Sequence, residues 1–200
     1  RAHPADRAPA ARPAGEARQG RQAAPPEPRT ARRLDRDRRR RVASLLEQVR
    51  GESVAEKPSF RAAFRRRRCI VPANGFYEWQ QLSDRQGGGK QPFYIHPVGG
   101  EFFALAGLWE RWTRPTDGEE LDTFTIVTTE ANAAMRPLHD RMPVILAPGD
   151  WWAWLNGATA VDQVQGLVRP CPEAALAVYA VGRAVGNVRN EGAGLIQPLV

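Results

Sequence analysis

Arg68–Leu82 reads RCIVPANGFYEWQQL, and its texture settles the class of fold. β-Branched and aromatic residues flank Asn74-Gly75, a pair that favours tight turns, so the stretch predicts strand, hairpin turn and strand. Upstream, Pro58 suits the first turn of a helix running to about Arg66. Downstream, the glycine-rich loop Gln86–Lys90 leads into a short strand, PFYIH, and a Gly99-Gly100 turn. EFFALAGLW (101–109) is apolar on both faces, as a central strand must be. DTFTIVTTE (122–130) is another strand, Glu130–Pro137 a short helix and Pro143–Leu146 a further strand. Asp150 is placed to cap a helix, WWAWL, ending near Gly157. Val161–Val168 is expected helical and Leu176–Val181 a late strand. Strands outnumber helices throughout. The expectation is an α+β fold: one domain over 42–200, with a strand-rich mixed core.

The first 41 residues have another character. They are dominated by Arg, Ala and Pro, and all 16 aromatic residues of the chain lie from Phe60 onward. So little apolar surface cannot offset the entropy of ordering, and residues 1–41 are predicted disordered. A helix beginning near Arg41 would align Val42, Leu45, Leu46 and Val49. Residues 1–50 hold 14 arginines against six carboxylates, which leaves −1 for residues 51–200 out of the chain's +7. The basic total therefore argues for a nucleic-acid partner only through the first quarter of the chain. The only two cysteines, Cys69 and Cys171, and the three scattered histidines have no zinc-like spacing, so neither metal nor cofactor is expected. The sequence has no stretch apolar enough for a bilayer span and no signal-peptide pattern. The expectation is a cytoplasmic monomer without membrane contact. Residue 1 is arginine, which points to a fragment, a processed form or an altered reading of the gene.

Glu78 and His139 are the candidate catalytic residues. Glu78 lies in GFYEWQ on the same strand face as Phe76, and apolar surroundings disfavour its charged form, readying it for proton transfer near neutral pH. The plain alternative is an exposed glutamate on a solvent face. His139 stands in the loop LHDRMP as a possible acid or base, with Asp140 to orient it and Arg141 to hold a phosphate; a purely structural loop histidine is the alternative. Cys69 follows Arg65–Arg68, which would depress a thiol pKa, although a basic helix end accounts for those arginines and a strand cysteine is usually inert. Trp79, Trp109 and Trp112 offer faces for unpaired bases, while core packing explains most tryptophans. Trp79 is expected to be largely buried beside Glu78.

Four segments in succession carry a resemblance: ESVAEKPSFRAAFRRRRCIVPANGFYEWQ, FFALAGLWERW, TFTIVTTEANAAMRPLHDRMPVIL and WLNG. The chain resembles the SOS response-associated peptidase family over about residues 50–200, and GFYEW with HDRMP at this separation is highly specific. The resemblance implies a distorted β-barrel-like core flanked by helices, and a groove for single-stranded DNA bearing abasic sites. It implies an N-terminal cysteine whose amine and thiol condense with the ring-opened sugar to a thiazolidine, a covalent protein–DNA linkage in the DNA damage and SOS response. By the same resemblance Glu78 assists proton transfer at the amine, His139 serves sugar opening and release of the crosslink, Arg50 is retained, and Thr128, Thr129 and Arg141 match positions near the DNA backbone; with Trp79 these are the DNA-binding candidates. When bound to DNA the protein would sit with the nucleoid.

The chain departs from that family pattern upstream of Ser53. There is no methionine-cysteine start, the tryptophan-containing loop is absent, and Gln48 stands where the family has an asparagine. A frameshift in a GC-rich gene, or a misplaced start, would produce this. The chain as written is expected to form no stable crosslink. Two rival functions remain at this stage: a non-catalytic module that shields single strands, and a cysteine hydrolase or protease built on Cys69.

Overall fold

The computed structural model describes residues 49–99 and 101–199. The segment expected to be disordered, most of the helix expected from Arg41, and Gln48 lie outside the described residues. Val49, assigned to that helix, instead opens strand β1 (Val49–Arg50), which runs parallel to Val127–Thr128.

Helix α1 (Pro58–Arg66) starts on its proline as expected. The strands that follow are β2 (Arg68–Ala73), β3 (Phe76–Gln81), β4 (Lys90–Pro97), β5 (Phe103–Thr113), β6 (Glu120–Glu130) and β7 (Arg141–Pro143). Helices α2 (Trp151–Leu155) and α3 (Val161–Gly166) precede the last strand, β8 (Leu176–Ala180). Among the described residues the strands form two open sheets and no closed barrel: a five-stranded one ordered β1-β6-β5-β2 with β7 also on β6, and a three-stranded one ordered β3-β4-β8. The molecule is an α+β, strand-rich single domain.

The expected hairpin at Asn74-Gly75 does not form. β2 pairs with β5 and β3 with β4, so the two residues hand the chain from one sheet to the other. The backbone explains why. A two-residue hairpin of this kind needs positive φ at both turn residues, and Gly75 is not among the glycines with positive φ. Glycine is required for another reason: a Cβ at residue 75 would overlap the Tyr94 ring.

The large sheet separates two cores. On one face α1, α2 and α3 bring Phe64, Trp154 and Val164 against Ala106, Leu108 and Val127. Phe64 and Trp154 meet edge to face at 6.0 Å. On the other face Phe103, Leu105 and Met142 pack against Ile95 and Leu176 of the small sheet. The order is therefore helices, large sheet, small sheet. β7 carries the ladder past its own end: Val144 N–H donates to Val127, Ala106 N–H to Val144 and Leu146 N–H to Ala104. The strand expected over Pro143–Leu146 is thus Arg141–Pro143 as an element, and Val144–Leu146 continues from it between β5 and β6.

Two local expectations are corrected. Glu130–Pro137 is no helix; β6 runs to Glu130, and the chain then turns on Asn132, whose side-chain oxygen accepts from Met135 N–H. Asp150 makes no side-chain cap to α2, being the last residue of a short 3₁₀ turn from Pro148, with Arg169 3.5 Å from its carboxylate.

Candidate functional site

A cavity of about 220 Å³ opens between the two sheets, lined by Glu78, Thr125, Ile126, Thr128, His139, Arg141 and Pro143. Its residues come from three places. β3 supplies Glu78, β6 and β7 supply the wall, and the turn before β7 supplies His139.

Strand alternation explains the position of Glu78. Phe76 packs on Phe103 at 5.9 Å in the inter-sheet core, and two residues on the same face carries Glu78 to the mouth of that core. Burial raises its pKa above the ordinary carboxylate value, opposed by the nearby His139 and by a backbone hydrogen bond at Trp79. Glu78 is thus a carboxyl group able to hold or release a proton closer to neutrality. Trp79 belongs to the opposite face, 6.4 Å from Tyr77 and 38% exposed. The expectation that Trp79 is buried beside Glu78 is therefore wrong: alternation turns adjacent residues apart, and the outer face of the small sheet leaves Trp79 partly open.

His139 is set by its backbone. Its N–H donates to the Met135 carbonyl at 3.0 Å, and its Nδ1 accepts from Arg141 N–H at 2.9 Å. The Asp140 carboxylate lies 3.0 Å from the same Nδ1, and one nitrogen cannot serve both. A backbone N–H is always a donor, so in the neutral ring Nδ1 accepts from Arg141 and the proton resides on Nε2. Asp140 becomes an ion partner only of the protonated ring.

Arg141 is already engaged. It grips Glu52 bidentately, at 2.7 and 2.9 Å, and donates to the Thr128 carbonyl at 2.8 Å. That guanidinium holds the Glu52 carboxyl below its ordinary pKa, with a smaller contribution from Arg50. A phosphate approaching Arg141 would compete with Glu52. The Thr128 hydroxyl is buried and bonds to the Val49 carbonyl. Arg50 is exposed and in register with Thr128 across the β1–β6 pair. Thr129 is buried, faces away from Thr128 by alternation and does not line the cavity. Glu52, Thr125, Ile126 and Pro143 escaped the sequence reading. Glu52 carried a signal, since a carboxylate two residues after Arg50 in a family-like segment needs a cation.

Cys69 is elsewhere. It lines a different hollow, with Trp109 and Phe124. Burial raises its pKa rather than the arginine run lowering it. Its thiol also lies so close over Gly107 that a Cβ there would sit 2.8 Å from Sγ. Cys171 is buried, its pKa pushed up to about 11 by that burial. Neither cysteine lines the cavity of His139, so among the described residues the arrangement offers no cysteine paired with that histidine. Among the described residues no group of three or more His, Cys, Asp or Glu gathers to hold a metal, and no helix is long and apolar enough to cross a membrane.

The model of the family described as SOS response associated peptidase (SRAP) matches residues 33–188. The chain belongs to the SOS response-associated peptidase family. It is 40% identical over 150 residues to the abasic site processing protein YoqW of Bacillus subtilis, covering 74% of this chain and 65% of that protein. It is 33% identical to the abasic site processing protein HMCES of Gallus gallus, over 75% of this chain and 49% of the relative. A crystal structure of a Bacteroides thetaiotaomicron protein superimposes with a TM-score of 0.72 at 29% identity, covering 78% of this chain and 67% of the other. The chain thus spans about 65% of the Bacillus relative and about half of the chicken one.

Proposed function

We propose that this protein processes abasic sites in single-stranded DNA and that the inter-sheet cavity receives the abasic sugar. One observation carries the reading: Glu78 and His139, far apart in sequence, line one cavity in which burial raises the glutamate's pKa. An aldehyde condensing with an amine must lose its oxygen as water, which needs a proton delivered to that oxygen and one removed from nitrogen. Glu78, protonated more readily than an ordinary carboxylate, is suited to that exchange. His139, with its hydrogen on Nε2, is suited to donating a hydrogen bond to the sugar's ring oxygen as the ring opens; the proton that oxygen gains is balanced by the one the C1 hydroxyl loses, an exchange a carboxyl group such as Glu78 can relay. Arg141 lines the cavity, and the exposed Arg50 lies in register with Thr128 of its wall, so these two cations are the groups suited to the phosphates on either side.

In the reaction carried over from the family resemblance, an amine and a thiol on one residue close a thiazolidine. The amine forms a C–N bond to the aldehyde carbon, water leaves, and the sulfur adds to the resulting imine. Cys69 and Cys171 are internal, so their nitrogens are amides and neither supplies that pair. On this reading Glu78, His139 and Arg141 serve as the proton-transfer and anchoring groups for that chemistry.

The test is a fluorescence-anisotropy titration of the full chain against a single-stranded oligonucleotide with a tetrahydrofuran abasic analogue, compared with the undamaged strand. Tighter binding of the lesion strand, lost in a His139→Ala variant, is the expected result. Equal affinity for both strands, in the wild type, would remove the cavity from the function. A pure strand-shielding module predicts that equality.

A further inference from the structure

Five of the 15 basic residues in 51–200 fall within eight positions, Arg61 and Arg65–Arg68. Two of them have internal work: Arg68 is buried on carbonyls, and Arg67 pairs with Glu110. Arg61, Arg65 and Arg66 do not. All three are exposed on α1, and among the described residues no carboxylate pairs with any of them. They line a shallow hollow of about 460 Å³.

Attraction to the helix C-terminus explains Arg65 and Arg66, which lie in the last turn. It does not explain Arg61, a full turn earlier. Arg61 and Arg65 are four apart, so like charges are stacked on one helix face, an arrangement that weakens a helix unless something outside answers it. The rest of residues 51–200 carries an excess of acid, so the positive field is local.

The patch lies on α1, across β6 from the cavity. Thr125 lines both the Glu78–His139 cavity and a second hollow of about 340 Å³, whose other walls include Ser59, Phe60 and Ala63 of α1. Thr125 belongs to β6, which has the cavity on one face and α1 on the other, so a single strand that rounds the large sheet beside Thr125 comes to the face that carries Arg61. We infer that Arg61, Arg65 and Arg66 form a second, lesion-independent contact for the phosphodiester backbone of the single strand as it leaves the cavity. This rests on the proposed function above. The contact reads no sequence and no damage; it adds length-dependent, salt-sensitive affinity.

The experiment measures affinity of the full chain for abasic-analogue single strands of about 5 and about 20 nucleotides, the short one filling only the cavity. An R61Q/R65Q/R66Q variant is compared with R85Q/R183Q/R189Q, which removes the same charge from exposed positions elsewhere. The patch variant should lose about tenfold or more in affinity for the long strand, with the log–log salt slope shallower by about 2, and little for the short one. The control should keep the wild-type slope. Equal losses in both variants would reduce the patch to net charge and overturn the inference, and so would an unchanged slope in the patch variant. If wild type binds the lesion strand in preference while the patch variant matches it at both lengths, the inference falls and the cavity reading stands. If wild type shows no preference for these strands over undamaged ones, the cavity reading falls by itself, and the patch contact is still decided by the long-strand loss and the salt slope. The single variant R61Q, with the helix end untouched, should reproduce part of the slope change should the triple variant prove unstable.

Discussion

The two faces of the five-stranded sheet each carry one largely buried arginine, and they are used in opposite ways. Arg68, on the helix side and 7% exposed, meets only carbonyl oxygens: those of Phe64 and Arg65 at the end of α1, and those of Trp154 and Asn156 at the end of α2. The last carbonyls of a helix have no internal partner and carry partial negative charge. One planar guanidinium with five donors satisfies two such ends at once. Arg141, on the cavity side, faces a carboxylate that is itself 53% exposed. The first is a junction, closed on itself. The second is a cation at the edge of a cavity, paired with a carboxylate that water reaches.

The largest expected effect breaks the junction. Arg68→Met leaves several buried carbonyls without donors, and removing bonds to a charged group on that scale should destabilise the fold on the order of 4 kcal/mol. Arg141→Met removes an ion pair whose carboxylate is half exposed, and should cost no more than about 1 kcal/mol while lesion binding falls. Urea unfolding of both variants checks this. Equal losses would erase the distinction between the two faces.

Next in size is Glu78→Gln, tested in a protein given a processed N-terminal cysteine. Loss of a positioned proton-transfer group should slow formation of a denaturation-resistant adduct with abasic DNA about 100-fold. Stability should move the other way. The folded pKa of Glu78 lies above its ordinary value of 4.5, so the folded state holds this proton after the unfolded chain has released it. Wild-type stability therefore falls as pH rises from that ordinary value through the folded one, and the glutamine variant should lack that decline. A variant with the same pH profile and the same rate would mean that Glu78 is an ordinary surface carboxylate.

How far the sequence disclosed these centres follows from the range of the forces involved. Glu78 was legible because strand alternation is local, and placing it two residues after Phe76 on one face was enough. His139 was legible through its motif, but the partner of its Nδ1 was not, because proximity in sequence favoured Asp140 while the backbone N–H of Arg141 takes the site. Arg68 looked like one of four arginines in a basic run. Its role depends on two helix ends separated by 86 residues or more, and no local pattern encodes that. Asn74-Gly75 misled for the same reason. The pair obeys a local turn rule, yet the glycine answers to a ring at residue 94. Strand existence survived because period-2 patterning is intrinsic to the segment; strand pairing did not, because it is a property of the sheet.

The smallest expected effect sharpens the contrast most, because it asks what Glu52 does for Arg141. The pair lowers the Glu52 pKa, so it stabilises the fold above the ordinary carboxylate value of 4.5, and that contribution disappears as pH falls through the lowered folded value. Glu52→Gln should therefore cost at most about 0.5 kcal/mol near neutrality, with the difference from wild type vanishing in acid. The same substitution frees the guanidinium. If Glu52 holds Arg141 in reserve, the variant should bind undamaged single strands several-fold more tightly and discriminate less between damaged and undamaged DNA. Affinity should also depend more steeply on salt, since one more cation reaches a phosphate. A fall in affinity would carry a different meaning: Glu52 would be the strut that aims Arg141, and both arginines would then be structural in the same sense. The sign of that single change in binding separates a restrained cation from a braced one.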